Sequence, residues 1–323
     1  MQPIVYAPII LPTLNRLNKL QKCIASLQKN GWADKTEIFI SIDFPPSTKF
    51  IDGNNKILQY LKKGINGFKA VHIYEQKKNL GIYGNLSFLR SEAYKSYDRY
   101  IYLEDDNVVS GNFIEYMDKC LQLFEESEDI ISICGFIKPN MNTGEYKIFK
   151  MINFTAYGYA TWKKKEIVYN TKINYNYLLN ILNVKEKLRK LYNNNLSLFL
   201  AYISAVTKKE KVYYDINNNL VCIDMVIRMY MVIENKFSVF PGLSLVCNSG
   251  YDGSGTNCKN SNNRNMVFHI SDDSTFNLEI KDISSLKIVP ERRKKRTFML
   301  QLRCIHGSIK LKILRKKVNK RFG

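Results

Sequence analysis

Short apolar runs alternate with stretches of helical periodicity through the first third of the chain, and each run ends on polar residues. Residues 3–16 read as a first strand that closes in a loop carrying Pro12, Thr13, Asn15 and Arg16. Leu17, Leu20, Ile24 and Leu27 follow at three- and four-residue steps, which predicts a helix over about 16–30. A second strand, 37–43, ends on Asp43 and is stopped by Pro45 and Pro46. A third, 70–74, leads through Asn79 and Gly81 into another helix. An aromatic and apolar run then gives a fourth strand up to Leu103 and delivers three consecutive acids, Glu104, Asp105 and Asp106, ahead of a helix over about 112–126. This alternation predicts an α/β fold: a mixed, mostly parallel sheet flanked by helices, with ligands bound beyond the carboxyl ends of the strands.

The pattern changes over residues 163–215. Leu178, Leu182, Leu188 and Leu191 recur at helical spacing in a stretch rich in Asn, Lys and Tyr, and an apolar helix is expected over 197–206. This is a helical insert. The Asn runs at 193–195 and 217–219 read as loops. No internal repeat is present.

Composition narrows the class. A chain of 323 residues, 45% of them hydrophobic, buries one large core, so one domain over 1–284 with a separate tail over 285–323 is expected. Seven cysteines without a CxxC pair fit free thiols in a reducing compartment. The apolar N-terminus lacks a basic region and is interrupted by Pro3, Pro8 and Pro12, so no signal peptide is expected, and no run is long enough to span a bilayer.

The formal charge of +20 is unevenly spread. Residues 287–323 hold 14 Lys or Arg against one acid, a net +13, which leaves +7 for the rest. Leu302, Ile305, Ile309 and Ile313 share one face of a helix there, with Arg303, Lys310, Lys312, Arg315, Lys316 and Lys317 largely off it. Such a basic amphipathic helix suits an anionic membrane surface, and the alternative is a helix docked on the domain by its apolar face. Gly307 is expected to weaken or split it. No nucleic-acid motif accompanies the charge, so nucleic acid is not expected as a partner.

Three adjacent carboxylates repel one another and call for a positive partner. A hard divalent cation bridging them to substrate phosphates would supply it, and a solvated acidic turn capping the next helix is the alternative. Asp43 taken alone reads as a turn or cap residue, Arg16 as a surface charge at a helix start, and Asp224 as an ion-pair partner of Arg228 one turn on. Trp162, with Tyr157 and Tyr159, reads either as a sugar-stacking platform or as an aromatic core cluster. Gly250, Gly253 and Gly255 permit the backbone changes of a lid and equally fit a surface turn.

Taken in order, residues 9–27, the Ser41 to Asp43 strand end, Asn79 to Gly81, Leu103 to Asp106, the aromatic segment from Ala156 to Trp162, Cys222 to Asp224 and the loop from Asn248 to Cys258 resemble nucleotide-sugar glycosyltransferases of GT-A fold. The likeness extends to the family 2 enzymes of bacterial capsule and lipopolysaccharide synthesis and to the N-acetylglucosaminyltransferases of N-glycan branching. It implies a Rossmann-like nucleotide-binding half over about 1–110 and an acceptor half over about 111–284. It also implies that Pro12, Thr13, Asn15 and Arg16 line the nucleotide and diphosphate, that Asp43 with Asn79 and Gly81 holds the uracil or ribose end, and that Glu104 and Asp105 contact ribose and sugar hydroxyls. Asp106 is then the ligand of a Mn²⁺ or Mg²⁺, and Asp224 the general base of an inverting transfer. Tyr159 and Trp162 face the acceptor, with Asp252, Gly253, Ser254 and Gly255 in the lid. Asn257 stands where relatives often carry a histidine, and His269 is a possible substitute for that ligand.

The implied substrates are a nucleotide sugar, UDP-linked, and a glycan or lipid-linked acceptor, met on the cytoplasmic face of the membrane where the tail binds. A sugar-nucleotide nucleotidyltransferase should show a glycine-rich triphosphate loop after the first strand, and residues 12–16 contain no glycine. A non-enzymatic basic binding protein would leave the strand-end acids without a role.

Overall fold

The computed structural model describes residues 3–138, 141, 146–208, 220, 224–250, 270–271, 273–278, 286–290 and 298–322. The chain forms two compact units, one of residues 1–150, 155–163 and 239–288, the other of 151–154, 164–238 and 289–323.

The first unit begins with β1 (Ile9–Thr13), α1 (Leu17–Gln28), β2 (Glu37–Ile42), α2 (Ile51–Lys62), β3 (Ala70–Glu75), α3 (Gly81–Ala93) and β4 (Arg99–Tyr102). It continues through β5 (Asn107–Val109), α4 (Phe113–Leu123), β6 (Ile130–Cys134), β7 (Ile148–Met151) and β8 (Tyr159–Trp162), and β9 (Phe237–Pro241) and β10 (Val246–Asn248) follow later in the chain. The large sheet has the order β3-β2-β1-β4-β8-β6-β9-β7, and β10 pairs with β5 in a second, two-stranded sheet. Strands β3, β2, β1 and β4 are parallel, with Ile9 opposite both Ile38 and Ile101, and β8 runs antiparallel between β4 and β6.

Every residue of β1 is buried because helices cover both sheet faces, which is why Ile9, Ile10 and Leu11 form an unbroken apolar run rather than an alternating one. Helix α1 buries Leu20, Cys23, Ile24 and Leu27, and full burial of each Leu or Ile stabilises the unit by about 2 kcal/mol. In α4 Phe113, Ile114, Tyr116 and Met117 are buried, and the Tyr116 hydroxyl donates to the Cys134 carbonyl at 3.0 Å.

Two expectations about aromatic residues change here. Trp162 is 1% exposed, and its indole Nε1 donates to the Leu121 carbonyl at 3.1 Å. Tyr159 is buried, with its hydroxyl 3.1 Å from that of Tyr100. Both side chains are core residues, because β8 lies inside the sheet, and Tyr159 packs its ring against Tyr100 and Tyr102.

The second unit contains α5 (Lys163–Lys172), α6 (Tyr175–Asn183), α7 (Lys185–Asn194), α8 (Leu196–Val206), α9 (Asp224–Glu234) and α10 (Phe298–Phe322). The Asn run at 193–195 is not a loop: it ends α7 and caps α8, the Asn195 side chain accepting from the amides of Ser197 and Leu198. Helix α8 is apolar nearly all round and buried, as a helix at the centre of a bundle should be. Helix α10 packs on α8 through Cys304, Gly307 and Leu311, so the tail expected as a separate element joins the insert. A Cβ at Gly307 would lie 2.4 Å from Ile203 Cδ1, and the glycine that was expected to split the helix instead sits within the helix, close against α8. The stripe Leu302, Ile305, Ile309 and Ile313 is exposed, so α10 does not dock by the face its sequence pattern indicated.

No described helix is long and apolar enough to cross a membrane. The five described cysteines are free, and burial pushes the Cys23 and Cys120 thiols well above their ordinary range, which makes them inert packing groups.

Candidate functional site

The end of β1 and the turn after β4 lie side by side in the parallel sheet, and this adjacency assembles the site. Thr13 closes β1 and donates through Oγ1 to Asp105 Oδ2 at 2.8 Å. Arg16, just ahead of α1, spans both acids: Nη1 donates to Asp106 Oδ2 at 2.7 Å and Nη2 to Asp105 Oδ1. The side chains of Asp105 and Asp106 are only 6% and 7% exposed, so the positive partner that their crowding requires is a guanidinium supplied from about 90 residues upstream. Burial raises the Asp105 carboxyl above its ordinary range and Arg16 opposes that shift. For Arg16 burial alone would lower the pKa, but the two carboxylates reverse this and hold the charge firmly.

A second set of contacts fixes Asp106 from the C-terminal side. Its carbonyl accepts from both the amide and the hydroxyl of Ser249 at 2.9 Å, and Asn107 Nδ2 donates to its Oδ1 at 3.2 Å. Lys19, in the first turn of α1 and three residues after Arg16, donates to the Ser249 carbonyl at 2.5 Å. Gly250 is pressed against the carboxylate so tightly that a Cβ there would lie 2.1 Å from Asp106 Oδ2. The sequence marks Gly250 as a lid glycine, and the structure adds this packing role. Lys19 and Ser249 were missed; the only local signal is their spacing from Arg16 and Gly250.

Asp43 organises the neighbouring edge. Its amide donates to the Thr13 carbonyl at 2.9 Å, and its Oδ1 accepts from the amides of Phe44 and Leu80 at 2.9 and 2.8 Å. Asn79 Nδ2 donates to Asp43 Oδ2 at 3.1 Å, and Gly81, with φ +66, then begins α3. Asp43 therefore ties the end of β2 to the entry of α3, as the turn or cap reading requires. Pro12 is buried within β1 opposite Ser41, and Asn15 and Glu104 are half-buried.

Asp224 begins α9 in the second unit and is half-buried. Asp252, Gly253, Ser254, Gly255, Asn257 and His269 lie outside the described residues.

The three acids of 104–106 do not converge as a cluster: among the described residues no group of three or more His, Cys, Asp or Glu side chains is placed to hold a metal. Asp105 and Asp106 nevertheless have the hard oxygen chemistry of a Mg²⁺ or Mn²⁺ site, which commonly takes one or two protein carboxylates and completes its shell with substrate phosphates and water. The donor set fits such an ion.

Among solved structures, Staphylococcus aureus TarS is 16% identical over 42% of this chain and 22% of its own, with a TM-score of 0.32. The mannosyltransferase PcManGT of Pyrobaculum calidifontis, in complex with GDP-Man and Mn²⁺, is 14% identical over 50% of this chain and 46% of its own, with a TM-score of 0.40. Mouse xyloside xylosyltransferase 1, in its apo form, is 10% identical over 50% and 69%, with a TM-score of 0.31. This chain thus spans under half the length of the first two. A search of curated proteins finds no match. The sequence profile of glycosyl transferase family 2 matches residues 9–189, a span that holds β1 to β8 and with them Thr13, Arg16, Asp43, Asp105 and Asp106. The chain belongs to glycosyl transferase family 2.

Proposed function

We propose that the protein is an inverting, metal-dependent glycosyltransferase that moves a sugar from a UDP-linked donor to a hydroxyl of a growing surface glycan or lipid-linked acceptor. The observation that carries this reading is the buried Asp105–Asp106 pair bridged by Arg16 at the carboxyl edge of the sheet. Cleavage of the bond between the anomeric carbon and the phosphate oxygen leaves the electron pair, and hence negative charge, on the departing diphosphate. A Mg²⁺ or Mn²⁺ on Asp106, when bound, would neutralise that charge. In this reading Arg16 turns from Asp106 to the diphosphate and adds a cation where charge develops. Asp105, held by Thr13, and Glu104 take ribose and sugar hydroxyls, while Asp43 and Asn79 hold the ribose or uracil end.

The acceptor oxygen attacks the anomeric carbon from the face opposite the diphosphate and gives its proton to a general base, which inverts the configuration. We assign that base to Asp224 on the resemblance of its segment to the family's catalytic helix, and the lid to residues 252–255 on the same ground. The setting is the cytoplasmic face of the plasma membrane, with the protein held peripherally; the tail's net +13 and the exposed apolar stripe of α10 support this.

A thermal-shift screen against a panel of nucleotide sugars, with Mn²⁺ and with EDTA, tests the proposal. It predicts stabilisation by UDP-linked sugars that disappears in EDTA. Stabilisation by a different nucleotide class would refute the donor, and equal stabilisation in EDTA would refute the metal.

A further inference from the structure

Within the second unit a cavity of about 270 Å³ opens between α7, α8 and α10. Lys185 and Arg189 line it from α7 and Lys312 and Arg315 from α10, Tyr192 and Phe199 wall it, and none of its lining residues is acidic. Lys185, Arg189 and Lys312 are exposed, and among the described residues none of the four cations is in an ion pair with an acid. Four like charges around one small cavity repel one another, and no lining residue carries a compensating negative charge.

Arg315 adds a sharper observation. One of its terminal nitrogens donates to the Leu182 carbonyl, which fixes the guanidinium, while Nε is buried without a hydrogen-bond partner among the described residues. A buried donor left unmade is costly unless a ligand completes it. A guanidinium in a ring of cations matches the oxygens of a phosphoryl group, which accepts several such donors at once.

The position of the cavity on α10 indicates where that phosphoryl group comes from. At about 100° per residue, the exposed stripe Leu302, Ile305, Ile309 and Ile313 occupies an arc of about 80°, and Lys312, Ser308 and Arg315 continue round the helix beside it. A helix lying in the interface with that stripe among acyl chains carries the cavity mouth at headgroup depth. We propose that this cavity is a binding site for the phosphomonoester or diphosphate headgroup of an anionic lipid. The proposal deepens the membrane placement given above and rests on it, and it is independent of the transfer chemistry.

Co-sedimentation of the full chain with phosphatidylcholine vesicles containing either phosphatidate or a charge-matched amount of phosphatidylglycerol provides the test. Calorimetric titration with inorganic pyrophosphate runs alongside it. Arg315→Gln and the exposed double variant Lys185→Gln/Arg189→Gln are compared with Ile305→Asp/Ile309→Asp. The expected result is a preference of wild type for phosphatidate, reduced about tenfold in both cavity variants, as expected for loss of a charge-assisted hydrogen bond. The stripe variant should lose both kinds of vesicle and still bind pyrophosphate. Equal binding to both lipids, with the cavity variants unchanged, overturns the site and leaves the membrane placement standing. Pyrophosphate binding that depends on the cavity, without any vesicle binding, overturns the lipid source and the membrane placement together. Should Arg315→Gln fail to fold, the exposed α7 double variant decides the matter by itself.

Discussion

Asp106 is gripped from both sides, by Arg16 on its carboxylate and by Ser249 and Gly250 on its backbone and flank. Gly250→Ala places a Cβ where Asp106 Oδ2 lies, so the acid must move or the segment must lift. A displacement on the order of 1 Å at a reacting centre costs about a hundredfold in rate. Release of nucleoside diphosphate should fall by that factor with the far-ultraviolet circular dichroism unchanged; a wild-type rate would show that the contact is not part of the site. Arg16→Met strips two buried carboxylates of their counter-charge, which should destabilise the fold by about 3–5 kcal/mol. Mn²⁺ should then raise the melting temperature of the variant more than that of wild type, and an equal response would argue against a shared cation site. The acids themselves were legible in the sequence as a crowded strand-end run. Their partner was not, because nothing local to Arg16 encodes a contact with residues about 90 positions away.

Away from the site, Asp118 is fully buried in α4, its Oδ1 accepting from the Ala7 amide at 2.9 Å and its Oδ2 without a hydrogen-bond partner among the described residues. Burial pushes its pKa well above the usual carboxylate range, against the opposing pull of the Ala7 hydrogen bond. From about pH 4 up to that raised value the folded chain keeps a proton that the unfolded chain has released, so this contribution to stability falls as pH rises. Asp118→Asn removes the dependence. Denaturant unfolding at pH 5 and pH 8 should show the variant gaining on wild type at the higher pH, and a constant difference would contradict the assignment.

At the level of elements, the strands β1, β2 and β4 and the helix α1 were legible because burial on both sheet faces leaves continuous apolar runs and helical burial leaves a three-four spacing. Helix α10 was legible as a helix and misleading in its facing. Its apolar stripe remains exposed, whereas the contact with α8 uses Cys304, Gly307 and Leu311, a face that no hydrophobicity pattern singles out. Gly307 separates the two possibilities by sign. A free helix gains stability when glycine is replaced by a better helix former, by as much as about 1 kcal/mol. A docked helix loses about 1–3 kcal/mol to overpacking against Ile203. Gly307→Leu should therefore lower the unfolding free energy measured in denaturant, and an increase would mean that the tail is undocked.

For the whole molecule, residues 164–238 and 289–323 fall in one unit because α8 is apolar nearly all round and α10 supplies part of its cover. The tail expected to stand apart beyond 284 is grouped with the insert from 289 on, because composition separates the basic tail from the rest but carries no information about which buried helix it covers. The central claim concerns the first unit, that Asp106 serves a nucleotide-sugar donor. The most direct measurement is nucleoside diphosphate release from UDP-linked sugars by wild type and Asp106→Asn, with Mn²⁺ and with EDTA, alongside the melting temperature of each. The account predicts release by wild type only with the metal, loss of about a hundredfold or more in Asp106→Asn, as for removal of a group that acts at the transition state, and a folded variant. Undiminished release by Asp106→Asn, or by wild type in EDTA, would contradict it.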